Sequence, residues 1–342
     1  MRSPLWAVLP GGIDDPAAPS GGNRYDRTVL SLLDRDVDEI AIVGSWPSPG
    51  AAARRALEAA ITKIPDKSDV LLDGLVACGV PDLLRAHAER LRLIVLVHLP
   101  LGDETGLSEA EATRLHALER ETLHLASVVV ATSDQAARQL TGTHGLARVE
   151  VATPGVDPAP PAEPSPTGHR LLCVASVTPR KGQDLLVAAL REHLADLSWR
   201  CTFVGALRGP VPPAGPGIDF AGPRTGADLD ASYADADLFV LPSRAETYGM
   251  VVTEALARGL PVLATEVGGV PEALGLAPDG SRPGRLVRPD DPGALAAALR
   301  DWLTDPLLRR GWRAAALARR STLPGWGETA HRLTEILDGR HR

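Results

Sequence analysis

Twelve short apolar runs, arranged in two series of six, constrain this chain more than any other feature. The first series occupies residues 5–9, 40–43, 70–72, 93–97, 128–131 and 149–151. The second occupies residues 171–174, 200–204, 218–220, 238–241, 262–264 and 285–287. The runs are continuous rather than alternating, and helical segments rich in Ala, Leu and Arg separate them. That pattern predicts parallel strands covered by helices on both faces, an α/β fold. Between the two series lies a stretch rich in Pro and small residues, PGVDPAPPAEPSPTG, which reads as a semi-rigid linker. The expected organisation is a Rossmann-like unit over 1–157, a linker over 158–168, a second Rossmann-like unit over 169–325 and a final helix within 326–342. A length of 342 residues suits two such domains.

Charge narrows the function classes. Residues 1–157 carry 15 Arg/Lys against 22 Asp/Glu, a net of −7, whereas the remainder carries 21 against 21. An acidic first half argues against nucleic acid and anionic lipid as partners. The apolar run near the N-terminus is too short for a signal peptide or a membrane span, so a cytoplasmic protein without stable membrane insertion is expected. The three cysteines, Cys78, Cys173 and Cys201, lie scattered in apolar segments and form no CxxC pair. They read as small core residues.

The most informative stretch runs from Ser243 to Glu272. An apolar strand, 238–241, stops at Pro242-Ser243; a polar turn, Arg244-Ala245-Glu246-Thr247, follows. Residues 249–258 then predict a helix ending at Gly259, with Pro261 beyond it. The amides around Tyr248, Gly249 and Met250 open that helix without carbonyl partners and favour an anion. Glu246 stands at this mouth, and Glu254 lies eight residues on, about 12 Å further at helical rise. A phosphate on the amides would thus have a carboxylate near the mouth and another deeper along the helix. A sugar nucleotide has that layout of hydroxyls, charge and hydroxyls. Glu254 is flanked by Val251, Val252, Ala255 and Leu256, so its carboxylate needs a partner or a ligand.

The acid, seven residues, acid pattern, followed by EALARGLPVLAT and GGVPE, resembles the E-x7-E region of retaining GT-B glycosyltransferases of family 4. The resemblance implies two Rossmann-like domains whose parallel sheets face across a cleft that holds the ligand. It also implies transfer of a sugar from a UDP- or GDP-linked donor, with Glu246 on sugar hydroxyls and Glu254 on the ribose. The segment LLCVASVTPRKGQD matches the family's G-R-x-x-x-x-K-G pattern at Lys181-Gly182, while the family arginine falls at Ser176, preceded by Ala175. Arg180 is the expected substitute beside Lys181 for the diphosphate.

Two further places complete the candidate site. Residues 93–97 deliver His98 to a strand's carboxyl end, where ligands gather in open α/β sheets, and it resembles the family histidine that contacts the transferred sugar. The glycine-rich segment GGIDDPAAPSGGN precedes a helix expected near Arg24, and Gly21 and Gly22 are candidates for amide contact with phosphate. Asp26 in that helix reads as complementing its dipole. The Asp235-Ala236-Asp237 triplet reads as a helix end and turn rather than a metal motif. No HExxH or other ligand cluster is visible among the nine histidines, so neither a metal nor a cofactor is expected.

The resulting expectation is a metal-independent, retaining glycosyltransferase acting on a small soluble acceptor. The acidic first half suggests a neutral or cationic one. Alternatives on the same fold are a nucleotide-sugar epimerase, a phosphorylase, or a non-catalytic sugar-nucleotide-binding protein.

Overall fold

A computed structural model describes residues 4–15, 20–104 and 106–339. Part of the glycine-rich segment, residues 16–19, lies outside the described residues. The chain divides into two units: one takes in the described parts of 1–15, 20–154 and 326–342, the other residues 155–325.

The first unit is built on six strands, β1 (Leu5–Pro10), β2 (Val37–Ile42), β3 (Asp69–Asp73), β4 (Arg92–Val97), β5 (Val128–Ala131) and β6 (Glu150–Val151). They form one sheet in the order β2-β1-β3-β4-β5-β6, and every pairing is parallel. Helices α1 (Gly21–Leu32), α2 (Ala51–Thr62), α3 (Gly74–Ala77), α4 (Pro81–Arg85), α5 (Glu109–Leu125) and α6 (Asp134–His144) connect them. The central strands β3 and β4 are buried almost throughout, which is why their sequences run apolar without alternation. β2 starts at Val37, three residues before the expected run. It is an edge strand, so Asp38 and Glu39 pair with β1 while their side chains stay outside the core.

The second unit carries β7 (Arg170–Val174), β8 (Arg200–Val204), β9 (Ile218–Gly222), β10 (Leu238–Leu241), β11 (Val262–Thr265) and β12 (Gly284–Val287). Their order is β12-β11-β10-β7-β8-β9, again all parallel. Helices α7 (Gln183–His193), α8 (Gly226–Ala234), α9 (Met250–Ala257), α10 (Val270–Leu274), α11 (Pro292–Thr304) and α12 (Pro306–Arg319) complete it. This is the doubly wound order, with the direction of winding reversing between β7 and β10. In the first sheet the reversal falls between β1 and β3. Both candidate sites lie at the carboxyl ends of the strands near these reversals.

The Pro-rich stretch is anchored to the second unit. The Ala162 amide donates to the Arg258 carbonyl at 2.9 Å, and Ser165 bonds the buried Asp237 through its amide and hydroxyl. Arg170 reaches both Asp235 and Asp237, so the D-x-D triplet ties the linker to β7. The last helix, α13 (Trp326–Leu337), packs on α1, with the Trp326 and Tyr25 rings edge to face at 5.9 Å. All three cysteines are buried and unpaired. Among the described residues no helix is long and apolar enough to cross a membrane.

Candidate functional site

In the second unit, the loops after β7 and β10 meet at the reversal point. The turn Pro179–Lys181 follows β7 and is closed by Gly182 at φ +66. A Cβ on Gly182 would stand 2.0 Å from the Pro242 carbonyl oxygen, so only glycine lets the lysine turn approach β10 this closely. The Arg244 amide donates to the Arg180 carbonyl at 2.7 Å and joins the two loops. The Arg244 guanidinium adds bonds to the Pro179 carbonyl, Asp184 and Asp290.

This backbone contact brings Lys181 to Glu246. Lys181 Nζ donates to Glu246 Oε1 at 2.6 Å, Ser243 Oγ donates to the same oxygen at 2.7 Å, and Arg180 Nη1 lies 3.9 Å from Oε2. The Glu246 side chain is 7 % exposed and that of Lys181 17 %. Burial pushes the Glu246 carboxyl up, but Lys181, then Arg180 and Ser243, outweigh it and hold the group below its ordinary value. Two cations therefore converge on one carboxylate. Arg180 is anchored by the Ala245 carbonyl at 3.2 Å, whereas Ser176 and Ala175 offer carbonyls to Gln183.

The turn carrying Glu246 is held from the other side by the glycine pair. A Cβ on Gly268, at φ +46, would fall 1.6 Å from the Glu246 carbonyl oxygen, which accepts the Gly269 amide. Thr265 Oγ1 donates to the Ser243 carbonyl. Helix α9 then starts at Met250, with Gly249 as its cap at φ +93. The helix is thus shorter than the expected 249–258, and the spacing of the two glutamates is only partly helical. Glu246 belongs to the turn, so a 12 Å axial rise does not separate it from Glu254. Thr247 belongs to the same turn, and the Tyr248 ring is buried in the apolar core. Burial drives the Tyr248 hydroxyl up to about 12.

Glu254 points into the protein, where Tyr233 Oη donates to Oε2 at 2.9 Å within a buried pair. Arg258, one turn on, stacks over the Tyr233 ring at 4.5 Å and bonds the Glu254 carbonyl. A partner from α8 thus meets the carboxylate that sequence reasoning found costly, a partner that no local spacing reveals.

In the first unit, His98 follows β4 and is enclosed by α1. Its Nε2 lies 2.8 Å from Asp26 Oδ1, the Tyr25 ring packs edge-on at 5.2 Å, and a Cβ on Gly22 would come within 3.1 Å of the imidazole. Asp26 therefore serves the histidine rather than the helix dipole. Helix α1 begins at Gly21, not near Arg24, with Ser20 Oγ capping the Asn23 amide. Gly21 and Gly22 are accordingly first-turn residues, and Gly22 makes room for His98. Asp73, at the end of β3, caps α3 by accepting the Leu75 amide at 2.6 Å. One ligand atom each from Asp26, Asp73 and His98 falls within 4.8 Å of the others.

The electrostatics of this triad follow from burial. Asp73 is pushed up to about 7, first by burial and then by the charge of Asp26. Burial alone would depress His98, but Asp26, reinforced by Asp73, raises it to about 9. Asp26 Oδ2 is buried without a hydrogen-bond partner, and the Asp73 carboxyl, raised on folding, lies beside Asp26. Sequence reasoning found His98 but missed Asp73, which only the register of β1, β3 and β4 brings near.

Sequence reasoning also saw no ligand cluster among the histidines. The fold corrects this, because His116, Glu119 and His144 gather from α5 and α6 with ligand atoms within 4.8 Å of one another. Glu119 and His144, whose side chains pair, stand 25 positions apart in the chain, so no short motif announces the group.

Two six-stranded parallel sheets in these orders place the chain in the GT-B class of glycosyltransferase folds. Sucrose-phosphate synthase from Thermosynechococcus elongatus superposes with a TM-score of 0.77 at 20% identity, covering 99% of both chains. Anabaena HepE in complex with UDP-glucose gives a TM-score of 0.71 at 18% identity, covering 98% of this chain and 99% of that one. Residues 168–305 match the family described as Glycosyl transferases group 1. D-inositol 3-phosphate glycosyltransferase of Kineococcus radiotolerans is 34% identical over 257 residues, 64% of this chain and 58% of that protein. The Nocardiopsis dassonvillei protein of the same name is 32% identical over 299 residues, 77% of this chain and 66% of that protein. The chain thus spans less than two thirds of the length of these curated relatives.

Proposed function

We propose that this protein is a retaining glycosyltransferase of family 4 that moves a sugar from a nucleotide-diphosphate donor without a catalytic metal. The observation that carries the reading is the convergence of Lys181 and Arg180 on Glu246 at the reversal point between β7 and β10. Cations held there by glycine-dependent backbone contacts suit charge developing on a departing diphosphate. Glu246 is assigned to hydroxyls of the transferred sugar, Glu254 to the ribose and His98 to the sugar. The amides near Thr247, Tyr248, Gly249 and Met250, with those of Gly21 and Gly22, are assigned to phosphate oxygens. Retention follows from attack on the face that the diphosphate leaves, the leaving phosphate oxygen taking the acceptor's proton.

The donor class draws support from HepE, whose structure holds UDP-glucose. For the acceptor, the relatives are D-inositol 3-phosphate glycosyltransferases by name, which points to an anion. The acidic first half of this chain favours a neutral or cationic small molecule instead. Competition between D-inositol 3-phosphate and uncharged inositol in a transfer assay separates the two.

The decisive experiment is a thermal-shift panel of UDP, GDP, ADP and their sugar conjugates, with and without EDTA. A shift for one nucleotide that survives EDTA and is lost in Glu254→Ala supports the donor site. No shift from any nucleotide removes it. Product analysis then distinguishes transfer from phosphate-dependent breakdown, epimer formation or binding alone.

A further inference from the structure

The cluster of His116, Glu119 and His144 belongs to none of this chemistry. Helix α5 places His116 and Glu119 at i and i+3, on one face. His144 is the last residue of α6, before Gly145 ends that helix at φ +67. Glu119 and His144 are fully buried, at 0% and 1% exposure. Glu119 Oε1 accepts the Leu101 amide at 3.1 Å, and its Oε2 lies 3.0 Å from His144 Nε2. His116 packs its ring against Gly102, where a Cβ would fall 2.3 Å from Nε2. Its Nδ1 is buried and has no hydrogen-bond partner. A structural network would be expected to satisfy that nitrogen, since an orphaned buried polar group forfeits its hydration without compensation.

We propose that His116, Glu119 and His144 bind a first-row divalent cation of the zinc type. Two imidazoles and one carboxylate are a donor set that suits such an ion and disfavours calcium or magnesium. Tetrahedral zinc with bonds of about 2.0–2.1 Å has ligand-to-ligand edges of about 3.3 Å. The Glu119–His144 edge already measures 3.0 Å, and all three ligand atoms fit within 4.8 Å. On binding, the ion takes the place of the hydrogen bond between Glu119 and His144, and His144 coordinates as a neutral imidazole that keeps its proton on the other ring nitrogen. Water completes the coordination. Through the Leu101 amide on Glu119, the ion would brace the turn three residues beyond His98 as well as joining α5 to α6.

The test uses the full chain, freed of metal with a chelator and titrated with Co²⁺ and then Zn²⁺. One equivalent of Co²⁺ should produce visible absorption of a low-coordinate site, which Zn²⁺ abolishes by displacement. X-ray absorption of the zinc-loaded wild type should show two imidazoles. His116→Ala, at the least buried ligand, should weaken binding at least about tenfold, because removal of one of three protein ligands loses a whole metal bond. It should also remove any zinc-dependent rise in Tm. The proposal is overturned if the folded wild type yields no cobalt spectrum, or if His116→Ala binds as tightly as wild type. Loss of binding in His98→Ala but not in His116→Ala would overturn it too, by placing the ion on the Asp26, Asp73 and His98 group.

Discussion

The two candidate sites occupy equivalent places in two similarly wound sheets, yet they are charged and held in opposite ways. In the second unit, cations outnumber the carboxylate they meet, and glycines at positive φ press one loop's backbone onto another's. In the first unit, two carboxylates flank one imidazole, and side-chain packing from α1 fixes the group. A doubly wound sheet therefore supplies only the location, at the reversal of strand order. The loops decide whether that location gathers cations around a carboxylate or carboxylates around an imidazole.

The sharpest way to break this comparison is to add one methyl group to each site. Gly182→Ala forces a Cβ to 2.0 Å from a carbonyl oxygen and demands φ +66 of alanine. We expect it to destabilise the second unit by roughly 3 kcal/mol or more, as strain and overpacking add. Gly22→Ala meets only the His98 ring, at 3.1 Å, from within a helix. Its stability cost should be under about 1 kcal/mol, because alanine favours helix over glycine. Urea titration measures both, and equal losses would refute the distinction between backbone and side-chain construction.

Next in size is the ion pair. Lys181→Ala leaves Glu246 buried with Arg180 as a nearby cation and Ser243 as its hydrogen-bond donor, and breaking a buried pair from one side costs about 3 kcal/mol, less here for its partial exposure. Lys181→Ala with Glu246→Ala should recover part of that stability but none of the turnover, which should fall about 100-fold or more if Lys181 stabilises the leaving group. Turnover that recovers along with stability would reduce the pair to a structural role.

How far the sequence discloses all this depends on the range of the interactions. The twelve strands lie where apolar runs place them, because burial on both faces leaves a continuous local signature. β2 departs from its expected span since an edge strand is only half committed to the core. Glu246, Lys181 and His98 are legible from strand ends and from glycine and proline nearby. Tyr233 beside Glu254, Asp73 beside Asp26, and Glu119 beside His144 are not, because each pair forms only when separate elements dock. The onset of α9 at Met250 is a local failure: Gly249 takes a left-handed conformation and caps the helix that sequence reasoning starts with it.

A smaller effect tests the buried tyrosine. Tyr233→Phe removes the hydroxyl that donates to Glu254 at 2.9 Å, and the loss of a hydrogen bond to a charged group should cost about 1.5–3 kcal/mol, toward the lower end where Arg258 stays near. If Glu254 holds the ribose, the shift of its carboxylate on loss of this donor should change the donor KM more than kcat. An unchanged KM in a folded variant would leave Glu254 as a core residue with a partner and nothing more.

The smallest expected effect is in pH, and it sets the two sites against each other. Asp73 is raised from 3.8 to about 7 and His98 from 6.5 to about 9. Groups raised on folding lend stability at low pH and lose it as pH climbs, Asp73 through about 7 and His98 through about 9. Glu246 is lowered from 4.5, so its contribution is present above that value and is lost as acid protonates it. The first unit should therefore weaken toward alkaline pH and the second toward acid. Asp73→Asn keeps a helix-capping side chain but removes one titration. Its Tm should fall less than that of wild type between pH 5 and pH 7, by a few degrees, while the later decline governed by His98 remains. A variant whose Tm follows wild type across that interval would show that Asp73 is already ionised in the folded protein at these pH values, against the rise that burial and the Asp26 charge impose on it.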